Sequence, residues 1–318
     1  MNLRQNDSPP LLTTAQTVSF PATILAPAKL NLTLDVLGLT SDGYHELSTL
    51  MVPVRWFDSL SFEPLSRAEG RTGPIEFSLR CASGNDAVPG DESNLVVRAL
   101  HLLRERSGCE LGARVGLVKR IPSGAGLGGG SSDAAAALRV ANRGWGLNSS
   151  EERLSALAAE LGSDVPFFLA GGAAVCRGRG EQVERLPGGV PLDIVIVKPV
   201  ESLSTAEVYR RFDELQSVSA VGRGKRTIAC IASDLRCGAV NKFATWMSNS
   251  LQAAAASLSG WIGQAERAFA ELGFVAHQLT GSGSAYFGIC RHAGEARRLA
   301  SILKSHQLGQ VFVTRSCG

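Results

Sequence analysis

Residues 121–137 read IPSGAGLGGGSSDAAAA and form the segment of this chain best suited to hold a phosphate group. Glycine lets backbone N–H groups approach a ligand without a Cβ in the way. A helix that begins at Ser131 or Ser132 would point its free N–H groups, and the positive end of its dipole, at an anion. A flexible structural turn has a similar composition, so these residues alone leave both interpretations open.

Three known classes of glycine loop can be compared with this segment. A Walker A loop requires lysine at the position that Gly130 occupies here. Residues 124–129 match the G-x-G-x-x-G pattern of dinucleotide-binding folds, but the acidic residues about 20 positions later open a helix-like segment instead of ending a strand. The lysine strand, H-R-D and D-F-G motifs of protein kinases are missing. Only the dinucleotide pattern matches, and that match is weak.

Three polar side chains elsewhere in the chain could act on a phosphorylated ligand. Lys29 and Asn31 stand two residues apart in PAKLN, so on a strand both side chains emerge from one face, which either lines a cleft or meets solvent. Asp164 lies in LGSDVP between a helix stop and Pro166. It either caps a short helix or takes the proton of an alcohol during phosphoryl transfer.

Two glycine-containing segments remain ambiguous on their own. Residues 42–45 read DGYH, which predicts a tight turn with an exposed aromatic side chain. Residues 279–284 read LTGSGS, which predicts either a flexible connection or a second place where the backbone approaches a ligand closely.

Composition narrows the class of protein. With 318 residues, the chain is long enough for two domains. The net charge of +3 and the scattered basic residues argue against a nucleic-acid partner and favour a small anionic ligand. No apolar run approaches the roughly 20 residues that span a bilayer, and residues 1–17 lack the pattern of a secretory signal. Seven cysteines without C-x-x-C pairs predict reduced thiols in a cytoplasmic protein.

Hydrophobic periodicity predicts an α+β protein in which strands and helices position these residues. We expect two short strands around Pro27 and a helix over about 132–142 that follows the glycine loop. The other predicted strands cover residues 50–62, 75–81, 115–121, 173–186 and 192–198, with a strand-turn-strand over 277–290 and a final strand. The other predicted helices cover residues 94–106, 150–161, 205–216, 242–256 and 262–272, with one more before the final strand.

Taken in order, four segments resemble the successive motifs of the GHMP kinase superfamily. They read PAKLNLTLDVLGLTSDGYHEL, IPSGAGLGGGSSDAA, LGSDVPFFLAGGAA with GRGE, and LTGSGSAYF, and the resemblance extends from about Phe20 to the C-terminus. The combination of PAKLN with DGYH resembles the branch that phosphorylates 4-diphosphocytidyl-2-C-methyl-D-erythritol in the non-mevalonate isoprenoid pathway. The same combination separates that branch from mevalonate, homoserine and galactose kinases.

The resemblance implies a two-domain GHMP kinase fold with the active site between the domains. We expect a flexible tail over residues 1–17, an ATP-binding domain of the ribosomal S5 domain 2 type over 18–187, and a ferredoxin-like domain over 188–318 that contributes to substrate binding. Neither the tail nor the polar segment 217–237 receives a function.

The resemblance also implies the chemistry and its cofactors, which are ATP and Mg²⁺. The γ-phosphoryl group would pass to the 2-hydroxyl of a cytidine diphosphate-linked methylerythritol. Asp164 would be the general base, Lys29 the cation beside it, and Asn31 a substrate contact. The ATP phosphates would be held by Pro122, Ser123, Gly124, Ala125, Gly126, Leu127, Gly128, Gly129, Gly130, Ser131 and Ser132.

Substrate selection would depend on the flat cytosine ring. By the resemblance, Tyr44 stacks on this ring, His45 reads its hydrogen-bonding edge, and Tyr209 supplies a second aromatic face. Gly281 and Gly283 border the diphosphate-methylerythritol end.

Three other functions are less consistent with these motifs. A sister kinase for another alcohol does not explain DGYH, and a nucleotide-binding protein without activity has no need of both Lys29 and Asp164. An S5-like nucleic-acid binder conflicts with the nearly balanced charge. The sequence therefore predicts a cytoplasmic small-molecule kinase, monomeric or weakly dimeric, without nucleic-acid or membrane partners.

Overall fold

The structure is a computed structural model that describes residues 19–67, 71–82, 88–216 and 228–317. The predicted flexible tail over 1–17 lies outside these residues, as does the part 217–227 of the polar segment 217–237. Within the described part of the chain, no helix combines the length and the apolar composition that a membrane crossing needs.

Strands and helices alternate along the chain. The strands are β1 (Ala22–Leu39), β2 (His45–Leu65), β3 (Ile75–Cys81), β4 (Gly112–Lys119), β5 (Ala174–Gly178), β6 (Gln182–Arg185), β7 (Asp193–Lys198), β8 (Ser248–Asn249), β9 (Ala276–Leu279), β10 (Tyr286–Cys290) and β11 (Gln310–Arg315). The helices are α1 (Leu95–Ser107), α2 (Gly129–Gly144), α3 (Glu151–Leu161), α4 (Val165–Ala170), α5 (Thr205–Gln216), α6 (Ile228–Arg236), α7 (Val240–Ala244), α8 (Gln252–Leu258), α9 (Gly260–Leu272) and α10 (Ala293–Ser305).

These strands form two sheets. The first has the order β3-β4-β2-β1-β8, with β5 paired to β2 and β6 paired to β5. The second has the order β11-β7-β10-β9, and all its neighbours are antiparallel. Since β7 is followed by helices, a β9-β10 hairpin, α10 and β11, this second sheet has the strand order of a ferredoxin-like fold. The predicted α+β class is confirmed.

Each sheet buries one face against helices. Apolar residues of α1, α2, α3 and α4 form one core with the first sheet. Apolar residues of α5, α8, α9 and α10 form another core with the second sheet. A third buried cluster combines side chains of β1 and β2 with side chains of β7 and β10, which joins the two sheets. The strands that will position the site are therefore held on both sides.

Two predicted boundaries near the site are wrong. The expected pair of short strands around Pro27 is one long strand, β1, whose pairing with β2 shifts register between Pro27 and Ala28. A bulge tolerates proline because the ladder is interrupted there and the missing N–H is not required. Helix α2 begins at Gly129, two or three residues before the expected start, with Gly128 as its N-cap at φ +69°.

The helix predicted over residues 242–256 is also wrong, because it is broken into α7 and α8. Between them, β8 pairs in parallel with β1. Asn249 Nδ2 donates hydrogen bonds to the carbonyl oxygens of Leu279 and Gly281, at 2.9 and 2.8 Å. Pairing with β1 and with the 279–284 turn replaces the helical hydrogen bonds there, which local propensity does not reveal.

A buried ion cluster attaches α2 to the first sheet. Lys119 of β4 lies between Asp58 of β2 and Asp133 of α2, and all three side chains are almost fully buried. The Lys119 ammonium donates to Asp133 Oδ2 at 2.6 Å and also to Asp58. Burial raises the pKa of Asp133 to about 7, although the charge of Lys119 opposes this shift. The cluster therefore needs its lysine to compensate two carboxyl groups.

We expect Lys119→Met to lower the free energy of unfolding by about 3–5 kcal/mol, because it leaves two buried carboxyl groups without a cation. The exposed Lys304→Met is the matched control, and it should change the free energy of unfolding by less than about 0.5 kcal/mol. Urea denaturation of both variants provides the measurement. Equal, small effects of the two substitutions would contradict the assigned role of the cluster.

Candidate active site

The site begins with two side chains on β1. Lys29 and Asn31 lie on one face of the strand, as predicted, while Ala28 and Leu30 point into the core. The polar pair is itself almost fully buried, at 4% and 2% exposure, so the alternative of a solvent-facing strand is wrong. The Lys29 ammonium donates a hydrogen bond to Asn31 Oδ1 at 2.6 Å.

Asp164 reaches the same point from α4. It occupies the N-cap position of this short helix, and Pro166 lies in the first turn as expected. Its side chain makes no capping hydrogen bond; Oδ2 instead lies 3.5 Å from the Lys29 ammonium. Asp164 is 35% exposed whereas Lys29 is 5% exposed, so the carboxylate faces the open side of the pair.

Asn31 is held by threonines that the sequence did not point to. Its amide nitrogen donates to Thr49 Oγ1 at 2.8 Å, and Thr49 donates in turn to the Thr33 carbonyl at 2.6 Å. From the other side, the Thr280 hydroxyl lies 3.3 Å from Asn31 Oδ1. Since these side chains are buried, their hydrogen bonds fix the orientation of the amide next to Lys29.

The glycine loop packs directly on this group. Gly124, Gly126 and Gly128 all have positive φ, between +64° and +73°. A Cβ on Gly126 would lie 2.2 Å from the Thr280 carbonyl oxygen, and a Cβ on Gly128 would lie 3.0 Å from Lys29 Cγ. Glycine is therefore required at these two positions both by conformation and by close approach to neighbouring elements.

The loop separates two open spaces. A cavity of about 370 Å³ on one side is lined by the whole of 122–131 together with Asn94 and Lys119. A cleft of about 820 Å³ on the other side contains Lys29, Asn31 and Asp164. The two spaces share Gly124, Gly126, Gly128 and Ser131. A phosphate held by the loop would therefore be accessible from the cleft.

Ser132 is the one residue of the predicted phosphate-binding set 122–132 that does not line the cavity of about 370 Å³. Its N–H donates to the Gly128 carbonyl at 2.9 Å inside α2, and its buried side chain lines a cavity behind the helix. Residues 122–131 line the space in front of the helix. The earlier start of α2 accounts for this difference, because it places Ser132 in the helix instead of at its N-terminus.

The predicted substrate side chains Tyr44, His45 and Tyr209 line the same cleft and form its aromatic end. The His45 and Tyr209 rings lie 4.6 Å apart with an angle of 34° between their planes. Tyr44 is 54% exposed, and the Arg179 guanidinium lies over its ring, 4.8 Å from the centroid. Burial raises the pKa of Tyr209 to about 12, with a further contribution from the charge of Asp164. Aromatic faces and polar edges therefore coexist at this end.

Two charged side chains beside these rings, Asp213 and Arg179, are not among the residues predicted from the sequence. Oδ1 of Asp213 on α5 lies 2.7 Å from His45 Nε2, within hydrogen-bond distance. This contact fixes the orientation of the imidazole ring. Arg179 lies within the GRGE motif, which carries no predicted role. The motif identified Arg179 as a candidate, whereas only the helical spacing from Tyr209 could have indicated Asp213.

The second glycine segment closes the cleft beside the reactive pair. Gly281 has φ +59°, and a Cβ there would lie 3.5 Å from both Lys29 Nζ and Asn31 Oδ1. Gly283 has φ +96°, and a Cβ there would lie 3.2 Å from Leu279 Cδ1 and 3.4 Å from Leu203 Cδ1. Both residues line the cleft, together with Ser282, whose hydroxyl lies 2.9 Å from that of Thr205. All the predicted catalytic and substrate-binding residues therefore line one space.

Family models match both parts of the chain. Residues 94–172 match the GHMP kinases N terminal domain, and residues 231–307 match the GHMP kinases C terminal domain. These ranges include the glycine loop and Asp164 in the first case and the 279–284 turn in the second.

Curated relatives match most of this chain. The 4-diphosphocytidyl-2-C-methyl-D-erythritol kinase of Pelotomaculum thermopropionicum is 40% identical over 92% of this chain and 97% of its own length. The enzyme of the same name from Bacillus pumilus is 36% identical over 92% of this chain and 96% of its own length.

Solved structures of GHMP kinases also match this chain. A crystal structure of 4-(cytidine 5'-diphospho)-2C-methyl-D-erythritol kinase matches with a TM-score of 0.74 and 34% identity, covering 93% of this chain and all of that one. A homoserine kinase from Cytophaga hutchinsonii matches with a TM-score of 0.71 at 17% identity, covering 96% of this chain and 97% of that one. The similarity to homoserine kinase concerns the fold alone. The fold is therefore shared by kinases for different substrates, and the sequence distinguishes them.

Proposed function

This chain belongs to the 4-diphosphocytidyl-2-C-methyl-D-erythritol kinase family of GHMP kinases, and we propose that it transfers the γ-phosphoryl group of ATP to the 2-hydroxyl of that substrate. The products are the 2-phosphate and ADP. The single observation that supports this best is the position of the Lys29–Asp164 pair. It lies in the cleft on one side of the glycine loop, and the cavity of about 370 Å³ on the other side is called the phosphate cavity below.

Asp164 is proposed to accept the proton of the 2-hydroxyl. Its carboxylate is on the open side of the pair, where a bound alcohol can reach it. As the proton leaves, the oxygen attacks the γ-phosphorus and the bond to the ADP oxygen breaks. The Lys29 ammonium stabilises the developing alkoxide by its charge, and its hydrogen bond to Asn31 keeps it in position.

The glycine loop is proposed to position the ATP phosphates. Residues 122–131 line the phosphate cavity, and α2 points its N-terminus at it. The unpaired N–H groups of the first turn and the helix dipole then oppose the negative charge of the phosphates. Because phosphoryl transfer depends mostly on positioning and charge stabilisation, a fixed loop supplies much of what the reaction needs.

Mg²⁺ fits this site as a companion of the phosphates. In residues 19–67, 71–82, 88–216 and 228–317, no group of three or more His, Cys, Asp or Glu side chains could hold a metal ion without other ligands. Mg²⁺ commonly binds through substrate phosphates, waters and one or two protein oxygens. The hydroxyl of Ser131, which lines both spaces, is the proposed protein ligand. Bound Mg²⁺ would neutralise part of the phosphate charge.

The cytidine group is proposed to bind between Tyr44 and the His45–Tyr209 pair. The rings offer stacking faces, and the imidazole, oriented by Asp213, offers a hydrogen-bonding edge. Gly281 and Gly283 are proposed to border the methylerythritol end. We further propose a division near residue 187 into two domains, a cytoplasmic location, and a monomeric or weakly dimeric state.

A substrate panel tests the proposed activity. Purified protein with Mg-ATP should produce ADP with 4-diphosphocytidyl-2-C-methyl-D-erythritol, and at least about a hundredfold less with mevalonate, homoserine or galactose, because these three alcohols carry no base for the aromatic end of the cleft to bind. ADP release in a coupled assay gives the rates. Preferential activity on any of the other three alcohols would overturn the proposal.

We expect Asp164→Asn to lower kcat by about 10²–10⁴, because it removes the proton acceptor. Binding of ATP should stay within about twofold of the original protein, since Asp164 does not line the phosphate cavity. Asp193→Asn is the matched control; that carboxylate pairs with Arg315 outside the cleft and should leave kcat unchanged. A normal kcat for Asp164→Asn would exclude its role as base.

We expect His45→Ala to raise KM for the cytidine substrate roughly tenfold, which corresponds to about 1.4 kcal/mol, and to leave KM for ATP unchanged. The loss follows from removing one ring face and one hydrogen-bonding edge at the same position. His101→Ala on the exposed side of α1 is the control. Equal increases in both KM values would show that His45 does not select the substrate.

A further inference from the structure

Two adjoining cavities lie behind α2, on the side away from the phosphate cavity. Their volumes are about 440 and 870 Å³, and they share Arg139, Glu151, Ala170 and Arg185. Both volumes are within the range of ligand-binding pockets. As described by the structure, their lining residues differ entirely from those of the active-site cleft and of the phosphate cavity. They therefore form a separate candidate site.

The smaller cavity is mainly apolar. It extends from the start of β1 to α2 and α4, and its walls include Ile24, Phe167, Phe168 and the small side chains Ala135 and Ala136. On α2 these alanines belong to one helical stripe, with Ser132 before them and Arg139 after them. An apolar wall of this kind suits an aliphatic chain better than a sugar or a base.

Arginines stand where the two cavities join. Arg139 lines both, and the one hydrogen bond described for its guanidinium goes to the Leu169 carbonyl oxygen. Burial lowers the pKa of Arg139, and the like charges of Arg143 and Arg185 lower it further, against the opposing charge of Glu151. Several donors of a crowded, partly buried guanidinium thus remain for an anion.

The acidic side chains of the larger cavity have partners. Glu151 lies 3.1 Å from Arg185, and Glu181 accepts a hydrogen bond from the Arg179 backbone N–H at 2.7 Å. Glu152 interacts with Ser150, which lowers the pKa of its carboxyl group. Two cations, Arg139 and Arg185, line both cavities.

We propose that the joined cavities bind a small amphipathic anion, with a phosphate or carboxylate head at Arg139 and Arg185 and an aliphatic tail along Ile24, Phe167 and Phe168. The head would form charge-assisted hydrogen bonds with the guanidinium groups. The tail would bury apolar surface against these side chains.

Calorimetric titration of the full chain with octyl phosphate, below its micelle concentration, tests this site. Octyl phosphate should bind at least about tenfold more tightly than octanol or inorganic phosphate, because neither control supplies both head and tail. Nonanoate in place of octyl phosphate distinguishes a preference for carboxylate from one for phosphate. Absence of binding by both amphiphiles, or equal binding of octanol, would overturn the proposal.

Substitutions locate the binding. Arg139→Met and Arg185→Met should each weaken the binding of the amphiphile at least about tenfold, whereas Arg153→Met, an exposed arginine of α3 outside both cavities, should not. Arg185 is 52% exposed, so its variant tests the site even if Arg139→Met does not fold.

Competition separates this site from the active site. Saturating ADP and CDP should leave the affinity for octyl phosphate within about twofold, because the cavities share no lining residue with the cleft. Displacement by either nucleotide, or an equal loss of affinity in the Arg153 variant, would refute a separate site. These measurements need no enzyme activity, so they are independent of the proposed kinase function.

Discussion

The buried ammonium of Lys29 is the constraint on which the site depends. A charge that is 5% exposed is costly unless other groups pair with it. The chain meets this requirement with Asn31 on the same strand and with Asp164 on α4. Asn31 is in turn held by Thr49 and Thr280, so β2 and the 279–284 turn are bound to the same point. The pairing of one cation therefore brings together elements from both ends of the chain.

The same convergence gives the glycine loop its position. The loop has little side-chain bulk to hold it, and it is fixed by backbone contacts: the Lys29 N–H donates to the Leu127 carbonyl, and the Ala285 N–H to the Ala125 carbonyl. At the start of α2, which follows the loop, the Lys119 cluster holds the helix against the sheet. The glycine loop is thus held by β1 and by the 279–284 turn, and its helix by the Lys119 cluster, which suits the proposed role of positioning phosphates.

Much of the fold could be predicted because most of its elements have strong local patterns. The boundaries of β3 and α5 are as predicted, and α3 covers the predicted range 150–161 except Ser150, which is its N-cap. The errors occur where distant partners replace local preferences. Pro27 remains within one strand because β2 accommodates a bulge. The helical pattern is interrupted between α7 and α8 because Ser248 and Asn249 pair with β1 and Asn249 also bonds the 279–284 turn.

By itself, the sequence determined the family, the glycine loop and the candidate reactive residues, because these depend on residue types at fixed short spacings and on the order of the motifs. Tertiary structure alone decided that Lys29 and Asp164 face each other, that Asp213 orients His45, and that Ser132 faces a cavity behind α2. The physical reason is that burial and pairing depend on distances across the fold. Spacing along the chain encodes the face of a strand or helix, but not the neighbour that this face will meet.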